Sequence, residues 1–353
     1  MSVFENARFN SHESVHFFND PDAGLKAIIS VHSTRRGPAA GGTRFWRYEN
    51  EQDAISDALN LSRAMSYKNA MADIPFGGGK AVIMRPDGEF NRRQLFSAYG
   101  RAVNALGGRY CTAEDVGVGP EDMKAVREQT PYVAGLTEGV AASGDPSPVT
   151  ADGVFRGLHV AIENTLGTTS MQGVRVAVQG LGHVGYHLCR MLSEAGAKLY
   201  VADINEAVTA QAHDEFDAII VNPEDIHAQD VDIFAPCALG GAINPKTIEE
   251  LKAKIVGGAA NNQLISPEMG EALQSRGILY CPDYVINGGG IINVAAELSG
   301  SYDPEWVDGR VEGLKSTLSA IFKQSKLKNL PTNVIADQMA EDRIYGKELS
   351  KAG

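Results

Sequence analysis

The stretch from Val174 to Asp203 constrains this chain most. It reads VRVAVQ, then GLGHVG, then YHLCRMLSEAGA, then KLYVAD. An apolar run of strand length meets Gly180-Leu181-Gly182-His183-Val184-Gly185, the pattern G-x-G-x-x-G, and a helix-like segment follows. Alone the pattern is common, but here each required neighbour is in place. Gly180 allows a tight turn. Gly182 lets backbone approach a pyrophosphate at the positive end of a helix, and Gly185 lets that helix pack on its strand. Asp203 ends the next apolar run, about 20 residues on, where an acid that binds ribose hydroxyls belongs. Short apolar runs recur at 218–221, 233–236, 254–256 and 278–281, separated by helix-like segments. That alternation predicts a doubly wound parallel sheet.

With 353 residues, the chain exceeds one ordinary domain. Small residues and two prolines between Glu138 and Pro148 (EGVAASGDPSP) mark the expected hinge. The expected division is an α/β substrate-binding and catalytic domain over 1–145, a Rossmann-type domain over 146–330, and a helical tail over 331–353. The active site is expected in the cleft between the two domains. In the first half, 25–32 and 80–84 read as strands and 52–68 and 92–106 as helices. The segment Gly37-Pro38-Ala39-Ala40-Gly41-Gly42-Thr43-Arg44 reads as an open-backbone loop.

Acids outnumber bases 44 to 32, a formal charge of −12, which argues against a nucleic-acid or anionic-membrane surface. No apolar run is long enough to span a bilayer. The amino terminus lacks a secretory pattern, and Cys111, Cys189, Cys237 and Cys281 form no disulfide framework or metal-ligand spacing. A cytoplasmic protein without a bound metal is expected. The acids also choose a cofactor. From Leu199 to Pro245 there is no Lys or Arg, and nine acids, Asp203 among them. A carboxylate there accepts from the ribose hydroxyls of NAD and repels a 2′-phosphate, so NAD is expected over NADP. Glycine is in excess, 38 of 353 residues, and the clusters at 41–42, 77–79, 180–185 and 288–290 read as backbone making room for ligands.

Hydride transfer needs a substrate site as well. Ile74-Pro75-Phe76-Gly77-Gly78-Gly79-Lys80 sets a cation at the head of an apolar strand. Lys68 precedes it, and Glu114-Asp115-Val116-Gly117 sets carboxylates at another strand end. Of two lysines near one carboxylate, one can pair with a substrate carboxylate. The other, its pKa lowered by burial, can polarise a carbonyl and move a proton. On the residues alone, exposed surface lysines remain the alternative.

The run K-N-A-x-A-x-I-P-x-G-G-G-K-A-V-I, with T-x-E-D-V-G and then G-L-G-x-V-G downstream, resembles the glutamate/leucine/phenylalanine/valine dehydrogenase family, closest to its leucine and phenylalanine branch. The similarity covers nearly the whole chain. It implies NAD-coupled oxidative deamination of an L-amino acid to a 2-oxo acid and ammonium, carried out by a homo-oligomer, octamer or dimer. By this resemblance Lys80 is the catalytic lysine, Asp115 assists proton transfer at the amine, and Lys68 holds the substrate carboxylate. Gly41 and Gly42 line the carboxylate site, and Asn262 lies near substrate and nicotinamide. Thr150, Asp203, Ala238 and Asn261 are implied cofactor contacts, beside Gly180, Leu181, Gly182, His183, Val184 and Gly185. Ala40, Ala113, Ile291 and Val294 are implied to surround the substrate side chain, although each is equally at home in a core. All four are apolar, which disfavours glutamate. Ala40 is smaller than the residue usual in leucine enzymes, so bulky substrates such as phenylalanine stay open beside leucine, valine and isoleucine. The rival readings are a 2-hydroxy-acid dehydrogenase, which would need a His base and an Arg clamp, and a non-catalytic NAD-binding protein.

Overall fold

Two sheets organise the chain, and their strands fall where alternation and burial place them. In the computed structural model, residues 2–135, 144–300 and 302–346 are described. The expected hinge at 138–148 lies largely outside the described residues. By contact, the described residues divide into two compact units. One gathers those of Met1–Gly144, Ile291–Val307 and Glu341–Gly353, and the other holds Asp145–Gly290 and Asp308–Ala340. Unlike the division expected from sequence, 291–307 and the chain end thus group with the first unit.

The first unit is built on β1 (Ser14–Asp20), β2 (Leu25–Ser33), β3 (Ala39–Trp46), β4 (Gly77–Met84) and β5 (Tyr110–Glu114), in the order β1-β2-β4-β3-β5. β1 and β2 run antiparallel to their neighbours, while β3 is parallel to both β4 and β5. The expected open loop at 37–44 is therefore corrected. Most of it is β3, an interior strand, because unpaired backbone between two strands would forfeit hydrogen bonds on both sides. Helix α1 (Glu51–Met71) opens on Asn50, whose side chain accepts from the Asp53 N–H. Its Ala54, Ile55, Ala58 and Leu59 pack on Ile28 and Val82. The opposite face of the sheet buries Leu95, Phe96, Tyr99 and Val103 of α2 (Arg92–Ala105) and Met123 and Val126 of α3 (Pro120–Arg127).

In the second unit, α4 (Ser147–Leu166) precedes β6 (Arg175–Gln179), α5 (His183–Glu194), β7 (Lys198–Ala202), α6 (Glu206–Phe216) and β8 (Ile219–Ile220). Then come β9 (Ile233–Pro236), α7 (Thr247–Glu250), β10 (Ile255–Val256), α8 (Glu268–Ser275), β11 (Leu279–Tyr280) and α9 (Asp283–Ile286). Helices α10 (Gly289–Leu298), α11 (Pro304–Lys328) and α12 (Thr332–Tyr345) complete the chain. The six strands are parallel, in the order β11-β10-β9-β6-β7-β8. Numbered within the unit this is 3-2-1-4-5-6 read from the β8 edge, the Rossmann order, with its switch point between β6 and β9. Val176, Val178, Val201, Ile233 and Phe234 are buried, as strands covered on both faces require. Among the described residues no helix is long and apolar enough to cross a membrane.

Candidate active site

The glycine fingerprint sits at the carboxyl end of β6, beside the switch point. Gly180 has φ +94°, and a Cβ built on it would lie 2.7 Å from the Ala238 Cβ. Ala238 follows β9, so the turns after the two switch-point strands touch. A Cβ on Gly185 would fall 2.0 Å from the Gly180 carbonyl oxygen, so helix α5 can seat on β6 only with glycine there. Gly182 is different. No protein atom lies within 4 Å of a Cβ built on it, although it caps α5, whose free N–H groups begin there. Leu181 is buried and Val184 half-buried. His183 is exposed, its Nδ1 3.4 Å from Asp145. Asp203 stands just past β7 and accepts the Leu181 N–H at 2.7 Å and the Asn205 N–H at 2.9 Å. The acid predicted to bind ribose thus also fixes the fingerprint turn. These features fit a dinucleotide: an open main chain at a helix N-terminus, with a carboxylate at the end of the next strand.

The other implied cofactor residues lie in the same unit. Thr150 is in the first turn of α4, where its hydroxyl donates to the Pro146 carbonyl at 3.0 Å. Asn261 Oδ1 accepts from Asn287 Nδ2 at 2.9 Å. Asn262 is left-handed, with φ +52°, and its carbonyl accepts the Gly241 N–H at 2.8 Å.

Lys80 lies in the first unit, mid-strand on β4, only 5% exposed. Gly78 and Val82 share its face. A Cβ on Gly78 would fall 2.0 Å from the Ser66 nitrogen of α1, and Val82 packs on that helix, so Lys80 points to the α1 side. Its Nζ reaches Asp115 Oδ2 at 2.8 Å. The register explains how they meet across β3. Ala40 pairs with Gly78 and Thr43 with Ala81, and Gly42 pairs with Ala113 of β5. Gly42 therefore falls between Lys80 and the end of β5, and a Cβ there would be 3.0 Å from the Asp115 Cβ. Burial pushes the Lys80 ammonium below its ordinary value, against the pull of Asp115. Burial would raise Asp115, but Lys80 and Arg44 beside it hold it below the usual carboxylate range.

Lys68 is half-buried in the last turn of α1, next to Asn69, whose Nδ2 donates to the Gly77 carbonyl at 2.5 Å. Ala40 and Ala113 are buried on neighbouring strands and share a face. Ile291 and Val294 are half-buried, three residues apart on one side of α10. The structure thus brings Lys80 and Asp115 into contact and places Lys68, Gly41, Gly42, Ala40, Ala113, Ile291 and Val294 in the same unit.

The glycine clusters need a correction. Built Cβ atoms would fall 1.9 Å from the Gly79 oxygen for Gly41 and 1.9 Å from the Ser33 oxygen for Gly77. For Gly79 the nearest atom is Tyr110 Cδ2, at 2.7 Å. At 288–290, Gly289 would meet the Val149 oxygen at 2.1 Å and Gly290 the Thr150 hydroxyl at 2.7 Å. These glycines make room for the protein itself, and in this group Gly182 alone faces open space. Sequence reasoning also missed Arg44 and Asp57. Arg44 touches both Asp115 and Asp57, a link visible only once β3 is paired with its neighbours.

A Rossmann sheet, joined in one chain to a unit that pairs a buried lysine with a half-buried aspartate, has the parts a dehydrogenase needs. Family comparison is specific. Residues 12–132 match the Glu/Leu/Phe/Val dehydrogenase dimerisation domain, and residues 202–340 match the Glutamate/Leucine/Phenylalanine/Valine dehydrogenase model. The chain is 49% identical over 344 residues to leucine dehydrogenase of Geobacillus stearothermophilus, covering 98% of this chain and 94% of that one. It is 43% identical over 336 residues to valine dehydrogenase of Streptomyces albus, covering 94% and 92%. The crystal structure of L-tryptophan dehydrogenase from Nostoc punctiforme superimposes with a TM-score of 0.85 at 44% identity, covering 97% of this chain and 98% of that one. The chain belongs to the glutamate/leucine/phenylalanine/valine dehydrogenase family and is an amino acid dehydrogenase, which sets aside the hydroxy-acid and non-catalytic readings.

Proposed function

We propose that this enzyme oxidatively deaminates apolar L-amino acids, leucine, valine and isoleucine foremost, with NAD as acceptor. The observation that carries the reading is the buried Lys80 paired with Asp115 at 2.8 Å, in a chain of this family. NAD would be held by the fingerprint 180–185, Asp203, Thr150, Ala238 and Asn261, and when bound it supplies the hydride acceptor. Asp203, with no Lys or Arg from Leu199 to Pro245, favours NAD over NADP. Lys68 pairs with the substrate carboxylate, beside Gly41 and Gly42. Asp115, held below the usual carboxylate range by its bonds to Lys80 and Arg44, takes the proton from the substrate amine. Lys80, whose burial favours its neutral form, draws a proton from the water that attacks the substrate iminium at the α-carbon. The resulting carbinolamine collapses to the 2-oxo acid and ammonium.

Ala40, Ala113, Ile291 and Val294 offer the substrate side chain only apolar surface. Two of them carry nothing beyond a methyl group, which favours aromatic side chains as a second reading. The match of 12–132 to a dimerisation domain supports a homo-oligomer. Four free cysteines, three of them buried, support a reducing cytoplasmic setting. The test is NADH formation from L-leucine, L-valine, L-isoleucine, L-phenylalanine, L-tryptophan and L-glutamate at equal concentration, repeated with NADP. Leucine, valine and isoleucine should lead, with glutamate and NADP poor. Glutamate ahead of all apolar substrates, or equal efficiency with NADP, would overturn the assignment.

A further inference from the structure

The proposed reaction uses Lys80 and Asp115 and leaves their other neighbours without a part. Arg44 leaves β3 on the face that carries Lys80. Its Nε lies 3.2 Å from Asp115 Oδ2, the same oxygen that Lys80 Nζ approaches at 2.8 Å. Its Nη1 donates to both oxygens of Asp57 on α1, at 3.3 and 3.0 Å. Asp57 Oδ2 also accepts the Tyr48 hydroxyl at 2.6 Å. One planar guanidinium on β3 therefore bridges two carboxylates, one on α1 and one just past β5, and all three side chains are three-quarters buried. A fork of fixed geometry suits that task as a single ammonium does not.

We propose that Arg44, clamped by Asp57 and Tyr48, is a positioning residue for the proton-transfer pair, fixing Asp115 through Oδ2 so that Oδ1 is offered to the substrate amine. The proposal rests on the deamination reading. Among the described residues, the charged groups that act most on Lys80 are Asp115 after β5, Arg44 of β3 and Asp57 of α1, with Tyr48 beside Asp57. Arg44 makes the Lys80 ammonium harder to keep and Asp57 makes it easier. The two residues should therefore move the pH dependence in opposite directions, which a purely structural role would not.

The experiment measures kcat for NADH formation from L-leucine at saturating NAD across the neutral to alkaline range, since kcat reports groups of the loaded enzyme. In the wild type kcat rises as Lys80 loses its proton. Arg44→Gln removes a nearby positive charge, so the midpoint should move up by about one unit or more, or about tenfold lower kcat on the rising limb. Asp57→Asn removes a negative charge, so its midpoint should move down. Arg44→Lys keeps the charge but not the fork. Its midpoint should stay near that of the wild type while plateau kcat falls. An unchanged midpoint in Arg44→Gln, or shifts in the same direction in Arg44→Gln and Asp57→Asn, overturns the proposal. If Arg44→Gln does not fold, Asp57→Asn decides, because an unmoved midpoint there refutes it. Failure of the deamination reading shows separately, as a wild type that forms no NADH from any apolar amino acid.

Discussion

Two glycines three residues apart should fail in different ways when each becomes alanine. At Gly185 the new methyl would sit 2.0 Å from the Gly180 oxygen, 3.1 Å from its carbonyl carbon and 3.3 Å from the Cys237 Cβ. The first two are main-chain atoms that no rotamer change can clear. Helix α5 must retreat from β6 by more than 1 Å, and overpacking of this kind costs about 1–3 kcal/mol. For a unit of this size each kcal/mol moves Tm by about 2–4 °C, so a loss of roughly 2–12 °C is expected. At Gly182 the methyl meets no protein atom within 4 Å, and φ is −65°. Only its weaker capping counts, about 1 kcal/mol or less. The same methyl would stand where a pyrophosphate must approach backbone, so NADH affinity should fall at least about tenfold, or about 1.4 kcal/mol. Thermal unfolding and NADH fluorescence titration separate the two effects. A Gly182→Ala protein that binds NADH as the wild type does, or a Gly185→Ala protein with unchanged Tm, would refute the reasoning.

Lys80→Ala should lower kcat by about two to four orders of magnitude, the range for loss of a general acid–base group, while NADH titration stays near wild type. Wild-type turnover would remove Lys80 from the chemistry. His32 is buried, with its pKa pushed from 6.5 down to about 3 by burial, then by His12 and Arg63. The unfolded chain takes up that proton below about 6.5 and the folded chain only near 3, so stability should fall by a few kcal/mol as pH drops through that window. Urea unfolding at about pH 7 and pH 4.5 should show a smaller fall for His32→Gln than for wild type, and equal falls would refute the assignment. Arg343 Nη1 donates to the Ala70 and Met71 carbonyls at 3.0 Å each, closing the end of α1 just past Lys68. Arg343→Ala should cost about 1–3 kcal/mol by removing both of those charge-assisted bonds and raise KM for the amino acid more than it lowers kcat. Unchanged Tm and KM would show the cap to be idle.

Features written in local pattern were legible from sequence. The run 198–202 is β7, 92–106 is α2 to within a residue, and the strands of the second sheet fall close to their apolar runs. Each is set by neighbours along the chain. β1 carried little signal because it is an edge strand without a fully buried residue, and apolar alternation is weak where neither face is dry. β3 misled because AAGGTRFW has the composition of a loop. It is a strand because β4 and β5 both need its hydrogen bonds. The same non-local pairing hid Arg44, whose partners lie 13 and 71 positions away. Lys80, Asp115 and Asp203 were legible because their motifs are contiguous, whereas what the neighbouring glycines accommodate could be seen only after folding.

The discontinuous make-up of the first unit has a consequence for synthesis. Its sheet lies before Gly144, yet it also includes 291–307 and the segment from Glu341 onward. A ribosome adding about 5–20 residues per second needs roughly 10–40 s to travel from Gly144 to Glu341. During that interval α1 lacks Arg343 on its terminal carbonyls and the Glu341 carboxylate on the Tyr67 hydroxyl. The unit that starts first therefore finishes last, and a nascent chain stalled before Glu341 would carry every residue of the lysine–aspartate pair in a unit still unclosed.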